Sequence, residues 1–350
     1  MQVNGEKSKI RLADIAEDVG VSIVTVAKVL HQTGGKNARV GKETAAKIRA
    51  CADRLQYCPN MAARQLAGKS SGLIGVVVDS CAPQAYYQML SKIEFYASQE
   101  GYRIMIAQAH EDFARIKAFA RDFAAYGADG VICLAHSYPG ESEEIVRTYS
   151  ENGKTVFWGT PECGGSFYSV DHDLLYTYRE VITFLFEQGR RRIGLLLGDS
   201  LVSRSNMQQR EMGYRNGLKQ YGIPYDSGLI KRIPFAEYMD EHDTMDVVTD
   251  LVRNHGVDAI VACNDQLAAM ALKNLAALGV RVPDEVAVTG FDNIDVARLV
   301  TPALTTFDFG YEQIARELVH LLSAQIHHQD IPVKLRKVKI ISPLIRRQSA

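Results

Sequence analysis

Polar side chains that follow apolar runs are the residues of this chain that could do chemistry. Asp292 ends the run VAVTGFD, and Asn264 and Asp265 end the run DAIVACND. If these runs are strands of an open α/β sheet, a ligand would bind beyond their carboxyl ends, where these side chains lie. We therefore interpret Asp292 and Asn264 as candidate ligand contacts. We expect Asp265 to cap the following helix instead.

A catalytic interpretation starts from His172, which lies between Asp171 and Asp173 and could support metal or acid–base chemistry. An exposed polar loop at the end of a strand is the competing interpretation, and it is the one that we adopt. The segment after the first body strand, DSCAPQAYYQ, lacks G-x-G-x-x-G, and the chain contains no G-x-x-x-x-G-K-[ST]. The six cysteines are scattered without a C-x-x-C pair, so we expect buried free thiols. We therefore predict that the chain is not an enzyme and has neither a metal nor a cofactor.

Three short helices are predicted near the N-terminus, where they must position any contact with a nucleic acid. RLADIAEDVG has apolar residues at helical spacing and ends at Gly20, a C-terminal cap. Ser22 is a candidate N-cap for a second helix in VSIVTVAKVLHQ, a stretch with more apolar residues than a small core needs. KETAAKIRACADRLQ predicts a third helix. Two helices joined by a tight glycine turn are the helix-turn-helix signature.

From Leu73 onwards, apolar runs of strand length alternate with helical stretches. Continuous apolar runs between amphipathic helices predict parallel sheets covered on both faces, which is an α/β doubly wound body. The strands fall into two sets with a break near residues 160–175, so we expect two similar lobes. The final run VKLRKVKIISPLIRRQ is predicted as a late strand or a strand pair. The segment before the body, YCPNMAARQLAGKSSG, is predicted as a linker that contains a short, marginal helix.

The charges of the chain are divided unevenly. Residues 1–70 carry 12 basic and 6 acidic side chains, whereas the remaining residues carry 28 basic and 35 acidic ones. A basic block on an acidic body favours a polyanion partner for the block alone, although a solvated basic surface would have the same composition. The N-terminus lacks the apolar core of a signal peptide and no window reaches membrane-spanning length. We expect a cytoplasmic protein without a membrane partner.

Several segments together resemble the LacI/GalR family of bacterial transcription regulators. RLADIAEDVGVSIVTVAKVL is similar to the family's DNA-binding domain, and YCPNMAARQLAGKSSGLIGVVV to its hinge and the start of its effector domain. VACNDQLAAMALKNLAALGVRVPDEVAVTGFDN and PALTTFDFGYEQIARELVHLL are similar to later parts of the effector domain. The resemblance implies three parts: a helix-turn-helix DNA-binding domain over 9–58, a hinge helix and linker over 59–72, and a two-lobed periplasmic-binding-protein-like domain over 73–350. The lobes would be joined by three crossovers, with an effector bound between them.

The resemblance places the start of the second helix in the major groove of a double-stranded DNA operator. Ile23, Val24 and Lys28 fall on the family's base-reading positions, and the contacts implied for this helix are Ser22, Ile23, Val24, Thr25 and Lys28. Aliphatic groups would contact thymine methyls, and Lys28 would donate to guanine.

The same helix must also supply a core. We expect Val26, Val29 and Leu30 to pack inward and at least one of Ile23 and Val24 to be exposed. Whether one or both are exposed stays open, and the alternative is that Ile23 or Val24 widens the core.

The chain departs from the family pattern in and after this helix. Ala27 stands where the family usually has Ser, and Lys28 replaces the usual Arg, which gives up bidentate geometry. The longer connection HQTGGKNARV contains Lys36 and Arg39. We hypothesise that these two replace lost phosphate contacts, and a solvated loop is the equal alternative.

Leu66 falls on the hinge position that, in the family, wedges into the minor groove between two half-sites. Asn60 and Ala63 flank it on the hinge helix and are implied as DNA contacts. An apolar wedge unstacks a base step and bends the duplex, at least cost at a pyrimidine–purine step. The alternative is that Leu66 packs against the body.

Arg210, three residues before Gly213, matches the effector-contacting arginine of the family. With Asp292 and Asn264 it would supply donors and acceptors suited to neighbouring hydroxyls, so a sugar or sugar derivative is the leading effector class. An anionic ligand is the alternative, because Arg210 could hold a carboxylate or phosphate. Aromatic residues that could stack on the ligand are Phe235, Tyr86, Tyr87, Tyr311 and Trp158.

Three function classes therefore compete: a sugar-responsive DNA-binding regulator, a regulator whose signal is a partner protein, and an enzyme with a helical accessory domain. The first, acting as a repressor, is our prediction. The chain ends at PLIRRQSA without the helical extension that the family can use for tetramers, so we predict a homodimer.

Overall fold

The computed structural model describes residues 10–31, 40–57, 70–79, 84–135, 138, 140–199, 204–234 and 241–350. The chain divides into two compact units, Met1–Lys69 and Ser70–Ala350. The division falls within the linker predicted at 59–72. No helix in the part of the chain that the structure describes is long and apolar enough to cross a membrane.

The first unit contains three helices: α1 (Leu12–Val19), α2 (Ile23–His31) and α3 (Lys42–Arg54). Their core is built on Ile15, Val26 and Ile48, one side chain from each helix and each 0% exposed. Gly20 ends α1 with φ of 72°, a left-handed conformation that favours glycine, and its N–H bonds back to the helix. The three predicted helices and the glycine cap are therefore confirmed.

The first lobe of the second unit is a six-stranded sheet in which every pairing is parallel. Its strand order is β11-β5-β4-β3-β1-β2, with bounds β1 (Leu73–Val78), β2 (Arg103–Gln108), β3 (Gly130–Cys133), β4 (Thr155–Trp158), β5 (Tyr168–His172) and β11 (Lys337–Ile340). The helices that follow its strands are α4 (Gln84–Gln99), α5 (Phe113–Ala125) and α6 (Ser142–Asn152), and α12 (Tyr311–Ile326) packs on α4 and on β3, β4 and β5.

The second lobe repeats this plan with one change. Its strand order is β12-β10-β9-β8-β6-β7, with bounds β6 (Ile193–Asp199), β7 (Ile230–Pro234), β8 (Ala259–Ala262), β9 (Ala287–Asp292), β10 (Thr305–Asp308) and β12 (Leu344–Ile345). Only β12 pairs antiparallel among these described strands, at Thr306–Ile345 and Phe307–Leu344. Its helices are α7 (Leu174–Glu187), α8 (Arg204–Gln220), α9 (Glu241–Thr249), α10 (Asp265–Ala277) and α11 (Val296–Leu299). The predicted doubly wound body with two lobes is confirmed.

Two glycines allow α7 and α8 to pack closely. A Cβ atom at Gly213 would lie 2.7 Å from the carbonyl oxygen of Leu175, and one at Gly217 would lie 2.7 Å from Cβ of Ile182. Both distances are shorter than real Cβ contacts, so a side chain at either position would push the helices apart. Because Arg210 lies one turn before Gly213, this close packing fixes where Arg210 sits relative to α7.

The chain passes between the two sheets three times, as the resemblance implies. It leaves the first sheet after β5, returns after β10, and leaves again between β11 and β12. The crossing segments bond to one another: Asp173 N donates to Ile340 O at 3.0 Å, and Asp308 N donates to Pro343 O at 2.9 Å. The late strand pair is confirmed, and its two members belong to different lobes.

The predicted break near residues 160–175 contains the first crossing between the lobes, which follows the end of β5 at His172. The sequence missed β5 itself, which lies inside that range and pairs in register with β4 and β11. The run is short and contains Ser, Asp and His, so its hydropathy gave no sign of a buried strand.

Candidate nucleic-acid interface and effector cleft

The exposed face of α2 is apolar at its start. Ile23 is 52% and Val24 62% exposed, whereas Val26 is 0% and Val29 9% exposed. Leu30 is half-buried against the same core. The sequence left open whether one or both of Ile23 and Val24 face outward, and both do. The excess apolar surface of this helix is therefore not core.

The first turn of α2 is closed by two hydroxyls. The Ser22 hydroxyl accepts a hydrogen bond from the backbone N–H of Thr25 at 3.1 Å and shares another with the Thr25 hydroxyl at 2.8 Å. Ser22 therefore caps the helix, as predicted. The remaining N–H groups of this positive helix end, with Ser22 exposed beside them, suit a phosphate group.

An ion pair that the sequence did not indicate joins α1 to α3. Asp18 accepts a hydrogen bond from Arg54 and another from the buried thiol of Cys51. The bond from Arg54 lowers the pKa of Asp18, while burial raises the pKa of Cys51. Arg54 therefore links α3 to α1 at the edge of the three-helix core. Asp18 and Arg54 lie on different helices, far apart in the sequence, so no local sequence pattern could have predicted this ion pair.

Several predicted DNA contacts lie outside the described residues. These are Lys36, Arg39, Asn60, Ala63 and Leu66, and they stay predictions.

Arg210 lies on α8, 8% exposed, against two aromatic rings of the second unit. Its Nη1 donates a hydrogen bond to the hydroxyl of Tyr178 at 2.7 Å. Its guanidinium carbon lies 4.5 Å from the centroid of the Phe291 ring and 5.2 Å from that of Tyr178. Its Nε is buried and has no hydrogen-bond partner among the described residues. A cation held over two π-faces, with one donor unused, is arranged to receive an acceptor atom.

Asp292 ends β9 and is 5% exposed. Its φ of 112° lies in a region that L-residues rarely adopt, so the fold holds this carboxyl in place at the expense of backbone strain. The side chain makes no hydrogen bond to another described residue, and burial raises its pKa well above the usual range. The nearby charge of Arg210 acts in the opposite direction. Asp292 and Arg210 therefore lie within electrostatic range, each with unused hydrogen-bonding capacity.

The prediction that Asp265 caps α10 is wrong. Asn264 is the N-cap, because its side-chain oxygen accepts from the N–H of Leu267 at 2.8 Å. Asp265, 0% exposed, instead accepts from the N–H of Ile294 at 2.9 Å and from the hydroxyl of Thr306 at 2.5 Å. Burial raises the pKa of Asp265 to about 7. The helix begins at Asp265, one residue earlier than the sequence pattern suggested, so Asn264 and not Asp265 occupies the cap position.

The expectation of an exposed loop at His172 is also wrong. His172 is 3% exposed at the end of β5, where its Nε2 donates to the carbonyl oxygen of Phe309 at 2.7 Å. Its ring centroid lies 4.4 Å from that of Phe309 and 5.8 Å from that of Phe291. Burial lowers the pKa of His172 to about 4, so the imidazole is neutral and structural. Asp173, beside it, caps α7 through the N–H of Tyr176.

The candidate aromatic residues separate into two groups. Trp158 and Tyr311, each 8% exposed, lie against Phe309 with centroid distances of 5.8 and 4.5 Å. Tyr87 is 58% exposed on α4 and is not part of this stack. Phe235 lies outside the described residues, as does the side chain of Tyr86. Both stay predictions.

The structure therefore places Arg210 and Asp292 close to each other, beside the aromatic rings against which Trp158 and Tyr311 lie. Sequence reasoning missed Tyr178, Phe291 and Phe309. Phe291 precedes Asp292 in the motif GFDN, which is the one signal that could have identified it.

Comparisons with known proteins agree with this architecture. Residues 11–60 match the model of the bacterial regulatory proteins of the lacI family, and residues 182–350 match that of a periplasmic binding protein-like domain. The HTH-type transcriptional repressor PurR of Haemophilus influenzae (strain PittEE) is 24% identical over 343 residues, 97% of this chain and 98% of that protein.

Two solved structures have the same fold. The Lac repressor dimer bound to operator and the anti-inducer ONPF superposes with a TM-score of 0.83 at 24% identity, over 98% of this chain and 99% of that one. The complex of the transcriptional regulator CelR with cellobiose superposes with a TM-score of 0.69 at 24% identity, over 98% and 100%.

A helix-turn-helix unit joined to a two-lobed, doubly wound body defines the class of DNA-binding transcription regulators, not of enzymes. Within that class, the chain belongs to the LacI/GalR family of bacterial transcription regulators.

Proposed function

We propose that this protein is a dimeric repressor whose affinity for a pseudo-palindromic operator is controlled by a sugar or sugar derivative bound between its two lobes. The observation that carries the effector half is the pairing of Arg210, held over Phe291, with Asp292, which has no hydrogen bond to a described residue. A hydroxyl both donates and accepts, so two neighbouring hydroxyls would complete both side chains. The cellobiose in the CelR complex supports the same ligand class.

An anionic effector is the second candidate, because the Arg210 guanidinium could hold a carboxylate or phosphate. The buried carboxyls of Asp292 and Asp265 have raised pKa values, so they do not by themselves exclude an anion. A neutral polyol is the first candidate, because its hydroxyls can accept from Arg210 and can bond to Asp292 in either protonation state.

The DNA half depends on the exposed start of α2. Ile23 and Val24 offer aliphatic groups to thymine methyls, and Lys28 can donate to guanine. The operator in the complex of the Lac repressor dimer supports a two-fold site for this chain too.

The first experiment is selection of the purified protein against a random duplex library at near-physiological salt. We expect a pseudo-palindrome with a pyrimidine–purine step at its centre, where Leu66 would insert. The matched control is Val24→Asp, which places a charge on the exposed face of α2 without touching the core. If the parent protein enriches no sequence with or without candidate sugars, the proposed function is wrong.

A thermal shift screen then tests the effector. We expect a neutral sugar to raise the melting temperature and to change operator affinity. If the operator is found but no sugar acts, a partner protein replaces the effector and that half of the proposal fails.

The connection after α2 has its own test. Replacing Lys36 and Arg39 by Gln should lower the salt dependence of operator binding by about two phosphate contacts. An unchanged slope of log affinity against log salt would refute their proposed role.

A further inference from the structure

A cavity of about 310 Å³ lies in the second unit between helix α7 and the segment that joins β11 to β12. None of Arg210, Asp292 and His172 lines it, so it is not the cleft described above. Its lining includes Phe184 and Glu187 from α7, Ser342 from the crossing segment and Arg346 after β12.

The floor of this cavity is aromatic. Phe184 and Phe307, 5% and 4% exposed, line it from the lobe's core. Ile341, at the rim, is 59% exposed, which leaves a large apolar side chain facing water beside an aromatic surface. This combination offers a place for the apolar body of a small molecule.

The walls carry opposite charges. Glu180 and Glu187 are seven residues apart on α7 and therefore on one face of the helix. Glu180 pairs with its neighbour Arg179 at 3.7 Å, whereas Glu187 makes no ion pair or hydrogen bond with a described residue.

Arg346 supplies the positive charge from the other wall. Its guanidinium carbon lies 5.0 Å from the centroid of the Phe184 ring, and it makes no ion pair with a described carboxylate. An unpaired cation and an unpaired anion thus flank one aromatic floor.

A buried polar group in the wall also lacks a partner. Ser342 is 3% exposed, and its hydroxyl has no hydrogen-bond partner among the residues that the structure describes. Buried hydroxyls without a partner are uncommon in native proteins because each loses the hydrogen bonds that it makes in water. A ligand oxygen beside Ser342 would supply the missing partner.

We propose that this cavity is a second small-molecule site and that it takes a zwitterion with an apolar body, the chemistry of an amino acid. The ammonium group would lie at Glu187 with Glu180 beside it, the carboxylate at Arg346 and Ser342, and the body on Phe184 and Phe307. The proposal does not depend on the proposed function, because its test needs neither operator nor sugar.

The test is calorimetric titration of the full-length protein with L-phenylalanine as the probe. Two matched compounds each carry one of its two charged groups: phenethylamine lacks the carboxylate, and 3-phenylpropionate lacks the ammonium. We expect L-phenylalanine to bind and each half-compound to bind at least tenfold more weakly. Absence of L-phenylalanine binding, or equal binding of phenethylamine, would overturn the proposal.

Two variants place the binding in the cavity. Arg346→Ala and Glu187→Gln should each weaken L-phenylalanine binding about tenfold while keeping the melting temperature, because both side chains are exposed. Arg298→Ala, at an exposed arginine on α11 that does not line the cavity, is the control and should bind as the parent does. Binding that all three variants leave unchanged would locate the ligand elsewhere and overturn the site.

Discussion

In the proposed function, we expect effector control to depend most on Arg210, because its position is set before a ligand binds. The hydroxyl of Tyr178 and the face of Phe291 hold its guanidinium, and Gly213 keeps α8 close to α7. A preorganised donor loses little freedom on binding, so we expect Arg210 to contribute strongly to effector affinity.

We predict that Arg210→Ala abolishes the effector response and leaves operator affinity unchanged, since Arg210 belongs to the second unit and not to the DNA-binding helices. Tyr178→Phe removes one hydrogen bond to a charged group, which contributes about 1.5–3 kcal/mol, so the response should shift to at least tenfold higher effector concentration. Operator titrations at increasing sugar concentration measure both effects. Normal induction in the Arg210→Ala protein would show that the cleft is misplaced.

His172 gives a prediction about pH. Its folded-state pKa is about 4 and its ordinary value 6.5, so between these values the unfolded chain binds the proton more tightly. The free energy of unfolding should therefore fall by up to about 3 kcal/mol from this residue as pH drops from 6.5 to 4. His172→Gln keeps a donor for Phe309 O and does not titrate, so its stability should change less over this range.

Asp265 has the opposite effect on the pH dependence of the free energy of unfolding, so its contribution must be distinguished from that of His172. Its pKa of about 7 in the folded protein lies above the ordinary 3.8, so its contribution is present at low pH and is lost as pH rises toward 7. Denaturant unfolding of the parent and the His172→Gln variant from pH 4 to 7 isolates the histidine, because Asp265 is common to both. Parallel curves would contradict a buried neutral imidazole.

At the scale of elements, α2 has two faces with separate consequences. Val26→Ala removes two buried methyl groups from a side chain that is 0% exposed, and should lower the free energy of unfolding of the first unit by about 2 kcal/mol. Val24→Ala, at a side chain that is 62% exposed, should cost less than about 0.5 kcal/mol in stability.

For operator binding, we expect the relative effects of the two substitutions to be reversed. Val24→Ala should weaken operator binding by about 1 kcal/mol by removing a thymine contact, measured by titration at fixed salt. Val26→Ala should match the parent once the folded fraction is taken into account. If Val24→Ala changed stability and not affinity, its exposed side chain would not contact DNA.

The elements also show how far the sequence could be followed. Helical periodicity identified α1 to α3, and continuous apolar runs identified the parallel strands, because both patterns repeat within a short window. Strand β5 was missed since Tyr168–His172 is short and polar and lies between β4 and β11, and β11 comes from the far end of the chain. Its polar residues therefore looked exposed.

In the candidate site, too, some features could be predicted from the sequence and others could not. Arg210 and Asp292 were found from motifs, and the structure places them within electrostatic range. The roles of Asn264 and Asp265 depended on where α10 begins, which differs by one residue from the expected start. Tyr178 was missed because it meets Arg210 through the close packing of α7 on α8, which no local pattern encodes.

At the scale of the whole molecule, the three crossing segments are the covalent links between the lobes, and the second of them starts beside Asn293, the neighbour of Asp292. Asn293 donates from Nδ2 to Asp308, the last residue of β10, at 3.1 Å and accepts at Oδ1 from Arg347, which follows β12, at 2.6 Å. Asp308 also accepts from the N–H of Gly310, where α12 of the first lobe begins. A chain of hydrogen bonds therefore runs from the neighbour of Asp292 to the start of α12.

We predict, on the basis of the proposed function, that Asn293→Ala lowers the coupling between effector and operator by about 1 kcal/mol while operator affinity without effector changes little. Thermodynamic linkage requires the loss to be equal in both directions: the factor by which sugar changes operator affinity must match the factor by which operator changes sugar affinity. Titrating each ligand with and without the other measures both factors. Because Asn293 touches neither ligand in this proposal, a loss confined to sugar affinity alone would make it part of the binding site, and unaltered coupling would mean that the lobes communicate by a different set of contacts.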